Sequence, residues 1–440
     1  MFEIGRGLKR WFSAPELKDG LAAGDQGLLE LLDLRLLRAE ARAASIAAGR
    51  IGAKDRPQRL VEAARVWREL ARRTGDPAPL RKAASCAEQA GKLAREEGRE
   101  RASDLALCEQ ASCALLGADL YGEDGLTAAA EHLLDRAAEC PAAPPLRAGL
   151  NARRALAKGD LDAVRAVSAD FERIVARGRS KADGAPAARL RCERAEFLTS
   201  CGGRLSEPEL LQAALAQLEL ANRALDSAYH PISLARAREA EGLARLRIAE
   251  SAADVRGMMR AIDGLTSAIE LITLDHSPLD WARLHHSLGI GLAALGEVAN
   301  SEPAFDRALK AFAAALKVLD GVPAVALRAI AAQDRAAVLV RRAEIRGDGF
   351  ALDEAEAILR SELAALPSPP DAVAWAVLQL NLARVYIAQV EANGRDRGER
   401  DRAAEALIAA MEVFAEHGRR ALAADADAGL ERLREAAQAK

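Results

Sequence analysis

Few side chains in this sequence stand where they could do chemistry together. The densest group is His276, Asp280 and the adjacent pair His285-His286. A zinc site needs three or four converging ligands. Neighbouring residues on a helix point about 100° apart, so the histidine pair reads as helix surface and no metal is expected. Gly289-Ile-Gly291-Leu-Ala-Ala-Leu-Gly296 has the glycines of a phosphate loop without its spacing, and no strand precedes it. Those glycines read instead as points of close helix approach. Cys86, Cys108, Cys113, Cys140, Cys192 and Cys201 include no Cys-x-x-Cys pair. That argues against a zinc ribbon or redox couple and favours reduced, buried thiols. Gly394 to Arg402 carries four arginines against three acids and reads as a solvated turn. No Gly-x-Ser-x-Gly elbow, His-Glu-x-x-His helix or phosphate-binding loop occurs. The expectation is a protein with no catalytic residues, no metal and no cofactor.

The elements that must position these residues are helices. Alanine makes up nearly a quarter of the 440 residues and aromatics only 3%. Alanine is the strongest helix former, while strand formers are sparse. Net charge is -3, from 62 basic and 65 acidic residues. A general nucleic-acid binder shows a basic excess, and none is present, so no nucleic-acid partner is expected. No uninterrupted run of 18 apolar residues and no secretory h-region is visible, so neither a membrane-spanning helix nor a signal peptide is expected. The free cysteines suit a reducing cytoplasm. The composition suits a bacterium of high GC content.

Residues recur at an offset of about 47. Leu234-Ala-Arg236 returns as Trp281-Ala-Arg283, Gly242 as Gly289 and Glu250 as Glu297. Ala214, Ala261, Ala308 and Ala355 share one register, and four residues on come Leu218, Leu265, Phe312 and Leu359. The last unit slips by one, to Ala403 and Leu407. Self-similarity at this period signals stacked supersecondary units. First helices are expected to start near 187, 233, 280, 326 and 372, and second helices near 207, 254, 303, 351 and 400. Less regular helix pairs precede them, at about 58–74 with 79–97, 102–118 with 124–139, and 146–157 with 160–177. The organisation expected is an N-terminal segment and Gly-rich connector (1–27), a Leu-rich helix (28–57), degenerate hairpins (58–180), five repeats (187–418) and a capping helix (419–440). The loop Gly178 to Pro186 is the best candidate for an internal boundary. Leu28 to Leu37 holds seven leucines in ten residues, which implies burial in the array or against another chain.

The register of Ala, a large apolar residue four on, then Ala appears as Ala308, Phe312, Ala315 and as Ala261, Leu265, Ala268. With Leu288-Gly289 in a first helix, it resembles the tetratricopeptide repeat. The sequence departs from that family in its period, about 47 rather than 34, and in Glu362, which replaces the second Ala of the fourth unit. The resemblance implies an all-α, right-handed α-solenoid of antiparallel helix pairs whose first helices line a concave face. It places Arg189, Arg236 and Arg283 inward in consecutive units, a ladder suited to carboxylates or phosphates. The next inward turn holds Cys192, Glu239 and His286. Alternatively, Arg189 pairs with Glu193, and Arg236 with Glu239, along their own helices.

At the N-terminus, Ile4, Leu8, Trp11 and Phe12 fall on one helical face, with Arg6, Lys9 and Arg10 beside them. A short basic amphipathic segment of this kind docks on its own fold, in a partner's groove or at a membrane surface. The function expected is a non-enzymatic scaffold that binds a peptide or partner protein on the concave face. One alternative is a regulatory sensor holding a small molecule or signal peptide within the array. Another is a membrane-surface adaptor using residues 1–12. The location expected is cytoplasmic, with peripheral membrane contact in that last case.

Overall fold

A computed structural model describes residues 26–50, 55–122, 124–137, 139–177, 184–346, 349–366, 372–417 and 420–438. The N-terminal amphipathic residues Ile4, Leu8, Lys9, Arg10, Trp11 and Phe12 lie outside them. Among the described residues every regular element is a helix. A short 3-10 helix, Gln26–Leu31, comes first. It is followed by α1 (Leu34–Gly49), α2 (Arg56–Thr74), α3 (Pro77–Glu96), α4 (Glu100–Tyr121), α5 (Asp124–Arg136) and α6 (Ala143–Lys158). Next come α7 (Leu161–Arg177), α8 (Ala185–Leu205), α9 (Pro208–Ala224), α10 (Pro231–Ser251), α11 (Val255–Ile269) and α12 (Pro278–Ala299). The last six are α13 (Glu302–Leu319), α14 (Val325–Arg346), α15 (Gly349–Ala365), α16 (Ala372–Asn393), α17 (Glu399–Glu416) and α18 (Arg420–Gln438). The helix starts expected from the 47-residue register fall within three residues of these.

One expectation needs correction. The Leu-rich stretch is not one helix. It breaks at Asp33, whose carboxylate accepts the Leu36 N–H at 2.8 Å and so caps α1. A capping aspartate favours non-helical backbone at its own position, so the residues before it form a separate turn.

The chain divides into two compact units. One runs to Ser287 and includes Val318–Ala326; the other comprises Leu288–Lys317 and Leu327–Lys440. The divide therefore lies away from the loop Gly178 to Pro186. Within each unit helices pack on their neighbours in the chain as antiparallel pairs. In the first unit the even-numbered helices α2, α4, α6, α8 and α10 also touch one another in succession, and in the second α16 touches α18. Helices that meet across an intervening one lie on the inside of a curved stack, so in the first unit α2 to α10 form its inner layer. This is an α-solenoid of helix pairs.

The repeat register is a packing rule. Ala214, Ala261, Ala308, Ala355 and Ala403 are fully buried, and so are Leu218, Leu265, Phe312, Leu359 and Leu407. A Cβ on Gly242 would lie 2.8 Å from Leu265, and one on Gly289 2.6 Å from the Phe312 ring. A small residue on the first helix thus admits a large one from the second. Ala336 and Ala383 hold the same register, in one core with Leu359 and Leu407. Gly296 does likewise for Phe305, at 2.7 Å. The glycines of the 289–296 stretch are close-approach positions in a helix.

In the second unit, α16 is long and apolar enough by composition to cross a membrane, although no unbroken apolar run marks it in the sequence. Its apolar residues are spent on packing: Leu378, Leu382, Val385 and Ile387 join the core formed with α15 and α17.

Candidate binding face

The inner ends of α2, α8, α10 and α12 in the first unit converge on a polar network. Gly75 sets the geometry. It closes α2 in the left-handed region, at φ 68°, which glycine adopts without steric cost. A Cβ there would come within 3.1 Å of Leu279 at the start of α12. That close approach brings Arg72 to Asp280 at 2.8 Å. Arg72 also holds Glu69 at 2.8 Å, and the fully buried Arg73 holds Glu69 at 2.6 Å.

Electrostatics follow from this enclosure. Burial would raise the carboxyl pKa values of Glu69 and Asp280. Arg72 with Arg73 overrides it for Glu69, and Arg72 with Arg283 for Asp280, so both lie below the ordinary carboxylate range. Ser277 adds a hydrogen bond to Asp280 at 2.6 Å.

The arginines of the 47-residue register lie on α8, α10 and α12 as the sequence placed them, each about one-third exposed. Arg189 and Arg236 find their partners on other elements, which corrects the in-helix alternative, while Arg283 adds a 3.7 Å approach to Asp280 on its own helix. Arg189 binds Glu30 of the 3-10 helix and Ser233 of α10, both at 3.1 Å. Arg236 reaches Glu196 on α8 at 3.2 Å. Arg283 holds Glu239 on α10 at 2.7 Å. The ladder is therefore a set of rungs tying each inner helix to another element. The next turn is buried rather than open: Cys192, Glu239 and His286 are each under a tenth exposed. Glu239 is fixed there by Arg283 and by the Ser287 hydroxyl at 2.7 Å.

Charged groups on this face are incompletely used. Arg236 has a buried Nε–H with no acceptor. Glu193, one turn beyond Arg189 on α8, opens to solvent and makes no hydrogen bond or ion pair among the described residues. The protein around it strips hydration and raises its pKa, against the pull of Arg236, Arg153 and Arg189. The carboxylate stands in the field of three arginines with no hydrogen bond or ion pair among the described residues.

The remaining histidines do other work. His276 meets the Glu30 carbonyl at 2.5 Å, and burial lowers its pKa. His285 stacks against Trp281 with ring centroids 3.9 Å apart. Two cavities of about 420 and 410 Å³ flank Arg238 on α10. Both are open; the first is lined mainly by polar groups, including Asn222 and Asp226, and the second mixes Glu241 and Arg260 with apolar surface.

Sequence reasoning missed Glu30, Arg72, Arg73 and Ser233. Glu30 carried a signal, because an acid between Leu29 and Leu31 in a leucine block needs a cationic partner once buried. Nothing local named that partner, which lies 159 residues away.

No family model matches the sequence, and no curated protein does. Solved structures do. A Rap protein complexed with Competence and Sporulation Factor superposes with a TM-score of 0.51 at 10% identity, covering 86% of this chain and 98% of that one. A human IFIT1 dimer with PPP-AAAA matches with a TM-score of 0.43 at 14% identity, covering 96% and 94%. Yeast Tom70 matches with a TM-score of 0.25 at 12% identity, covering 90% and 97%. At such identities the likeness to Rap speaks to fold alone, and the fold is that of a tetratricopeptide-like helical-repeat protein.

Proposed function

We propose that this protein is a non-enzymatic binding scaffold, and that the inner face of α8, α10 and α12 receives a peptide or an extended segment of a partner protein. The carrying observation is the Glu193 carboxylate, open to solvent, without a hydrogen bond or ion pair among the described residues and in the field of Arg189 and Arg236. A peptide's backbone N–H or a lysine side chain would satisfy it. A ligand carboxylate would compete with Glu196 for Arg236, whose present contacts are long and leave one N–H unused. Interior charge is a poor way to stabilise a fold, so a scaffold that keeps it on one face supports recognition. The Rap structure, solved with Competence and Sporulation Factor, supports the same class of function. The free cysteines support a reducing compartment, and we place the protein in the cytoplasm.

The test is partner capture with two charge-removing variants. Glu193→Gln should remove the main partner seen with the unmodified chain, as read by quantitative mass spectrometry, with the thermal midpoint unchanged. Arg236→Gln should remove it with a lowered midpoint, because the Glu196 pair is lost. A partner set untouched by both variants refutes the inner-face assignment.

A further inference from the structure

The 3-10 helix Gln26–Leu31 is held in an unusual way for a piece of fold. Its side chains enter a core, but its backbone is read by side chains from helices far along the chain. The buried Glu30 carboxylate accepts the Ser233 N–H at 2.8 Å and lies against the Ser233 hydroxyl and Arg189. Ser233 is the third residue of α10, so its N–H has no acceptor within that helix. The Leu29 and Leu32 carbonyls accept from Arg73 at 2.6 and 2.7 Å. The Glu30 carbonyl meets His276, and the Leu34 N–H donates to the Asp275 carbonyl at 3.2 Å. A carboxylate on a helix N-terminus and an arginine, with flanking carbonyls gripped by a second arginine, is how a protein holds a peptide. Leu29 and Leu32 complete the grip by entering the core of α1, α2 and α3.

We propose that residues 26–32 are a tethered occupant of the inner face, and that the external ligand competing for this end of it is a peptide with an acidic side chain between leucines. This rests on the binding function proposed above and supplies its ligand chemistry. The receiving groups sit on α2, α8, α10 and the turn before α12, while the occupant is joined to α1 by the break at Asp33. Release exposes Arg189, the Ser233 N–H and both guanidinium donors of Arg73 together. Those groups then need a carboxylate and two carbonyls, which an acidic, leucine-flanked peptide provides. A tethered competitor lowers the apparent affinity for such a peptide by the fraction of molecules in which the site is free.

The test uses the full chain and a synthetic peptide of residues 26–34, with a second peptide carrying Gln in place of the glutamate. Glu30→Gln should bind the acidic peptide at least about tenfold more tightly than the unmodified protein, since the internal competitor is weakened. The Gln peptide should bind neither. Hydrogen exchange on the unmodified protein should show loss of protection at residues 29–37 when the acidic peptide is added. Leu29→Ala, which loosens the occupant and leaves Arg189, Ser233 and Arg73 intact, reports the same direction if Glu30→Gln folds poorly. Equal affinity of the unmodified and Glu30→Gln proteins, or unchanged exchange at 29–37, overturns the proposal. If the peptide binds both equally and Arg236→Gln abolishes it, the tether fails while the inner-face reading stands. If no protein binds the peptide, this ligand chemistry is wrong, and partner capture judges the inner face separately.

Discussion

The two units are built from one repeat and bury different things. Fourteen of the sixteen buried polar or charged side chains among the described residues lie at or before Ser287; Glu362 and Gln389 are the others. The first unit is only about twice as long as the second, so length does not account for the contrast. Around α16 the second unit packs leucine, valine and phenylalanine, and ion pairs such as Arg341 with Glu297 sit in solvent, although Arg328 holds the buried Glu362 at 2.6 Å. Around α10 the first unit packs Arg73, Glu239, Asp280 and Ser287. The small-to-large lock between paired helices is the same in both. The repeat thus fixes the scaffold and leaves its buried faces free to carry charge, and the first unit buries more of it.

The contrast is broken most forcefully at Arg73. Arg73→Met strands two carbonyls and removes a cation from Glu69, and should cost about 3–5 kcal/mol in urea unfolding, the range for losing one member of a buried charge network. A loss below about 1 kcal/mol would mean the network is solvated. Acid should separate the units next. Asp280 and Glu69 have folded pKa values lowered from 3.8 and 4.5, so the stability they add is complete above those values and is lost as pH falls through and below them. Hydrogen exchange followed from about pH 5 to pH 3 should show the first unit losing protection before the second. Simultaneous loss would contradict it. Gly289→Ala tests the shared lock in the second unit. Overpacking against Phe312 should cost about 1–3 kcal/mol despite alanine's better helix propensity. Phe312→Leu in the same chain should restore most of it, and additive losses would argue against direct contact. The smallest effect is expected at the surface, where Arg341→Ala should cost no more than about 1 kcal/mol.

Much of the scaffold was legible because local rules repeat. The Ala214 and Leu218 registers marked buried positions, and turn residues such as Gly321 and Pro323 fell between helices. Leu288-Gly289 and Phe312 marked a close crossing of two helices. The arginine register was legible too, since one repeat separates Arg189, Arg236 and Arg283. Their partners were not. Ion pairs such as Arg72 with Asp280 depend on how the first unit curls, and that curl sums small angles over many helix pairs. The Leu28–Leu37 block misled for a related reason, because leucine content signals burial but the break is set by a capping contact at Asp33.

The central claim is that the inner face of the first unit keeps its charge for recognition. It is tested most directly at Glu193, which has no hydrogen-bond or ion-pair partner among the described residues. Glu193→Gln should leave the free energy of unfolding within about 0.5 kcal/mol of the unmodified protein, as for an exposed group with no hydrogen bond or ion pair among the described residues. The same change should weaken the captured partner's affinity about tenfold or more, the loss expected when a charged hydrogen bond is removed. Unchanged affinity, or affinity lost only together with stability, would contradict the account.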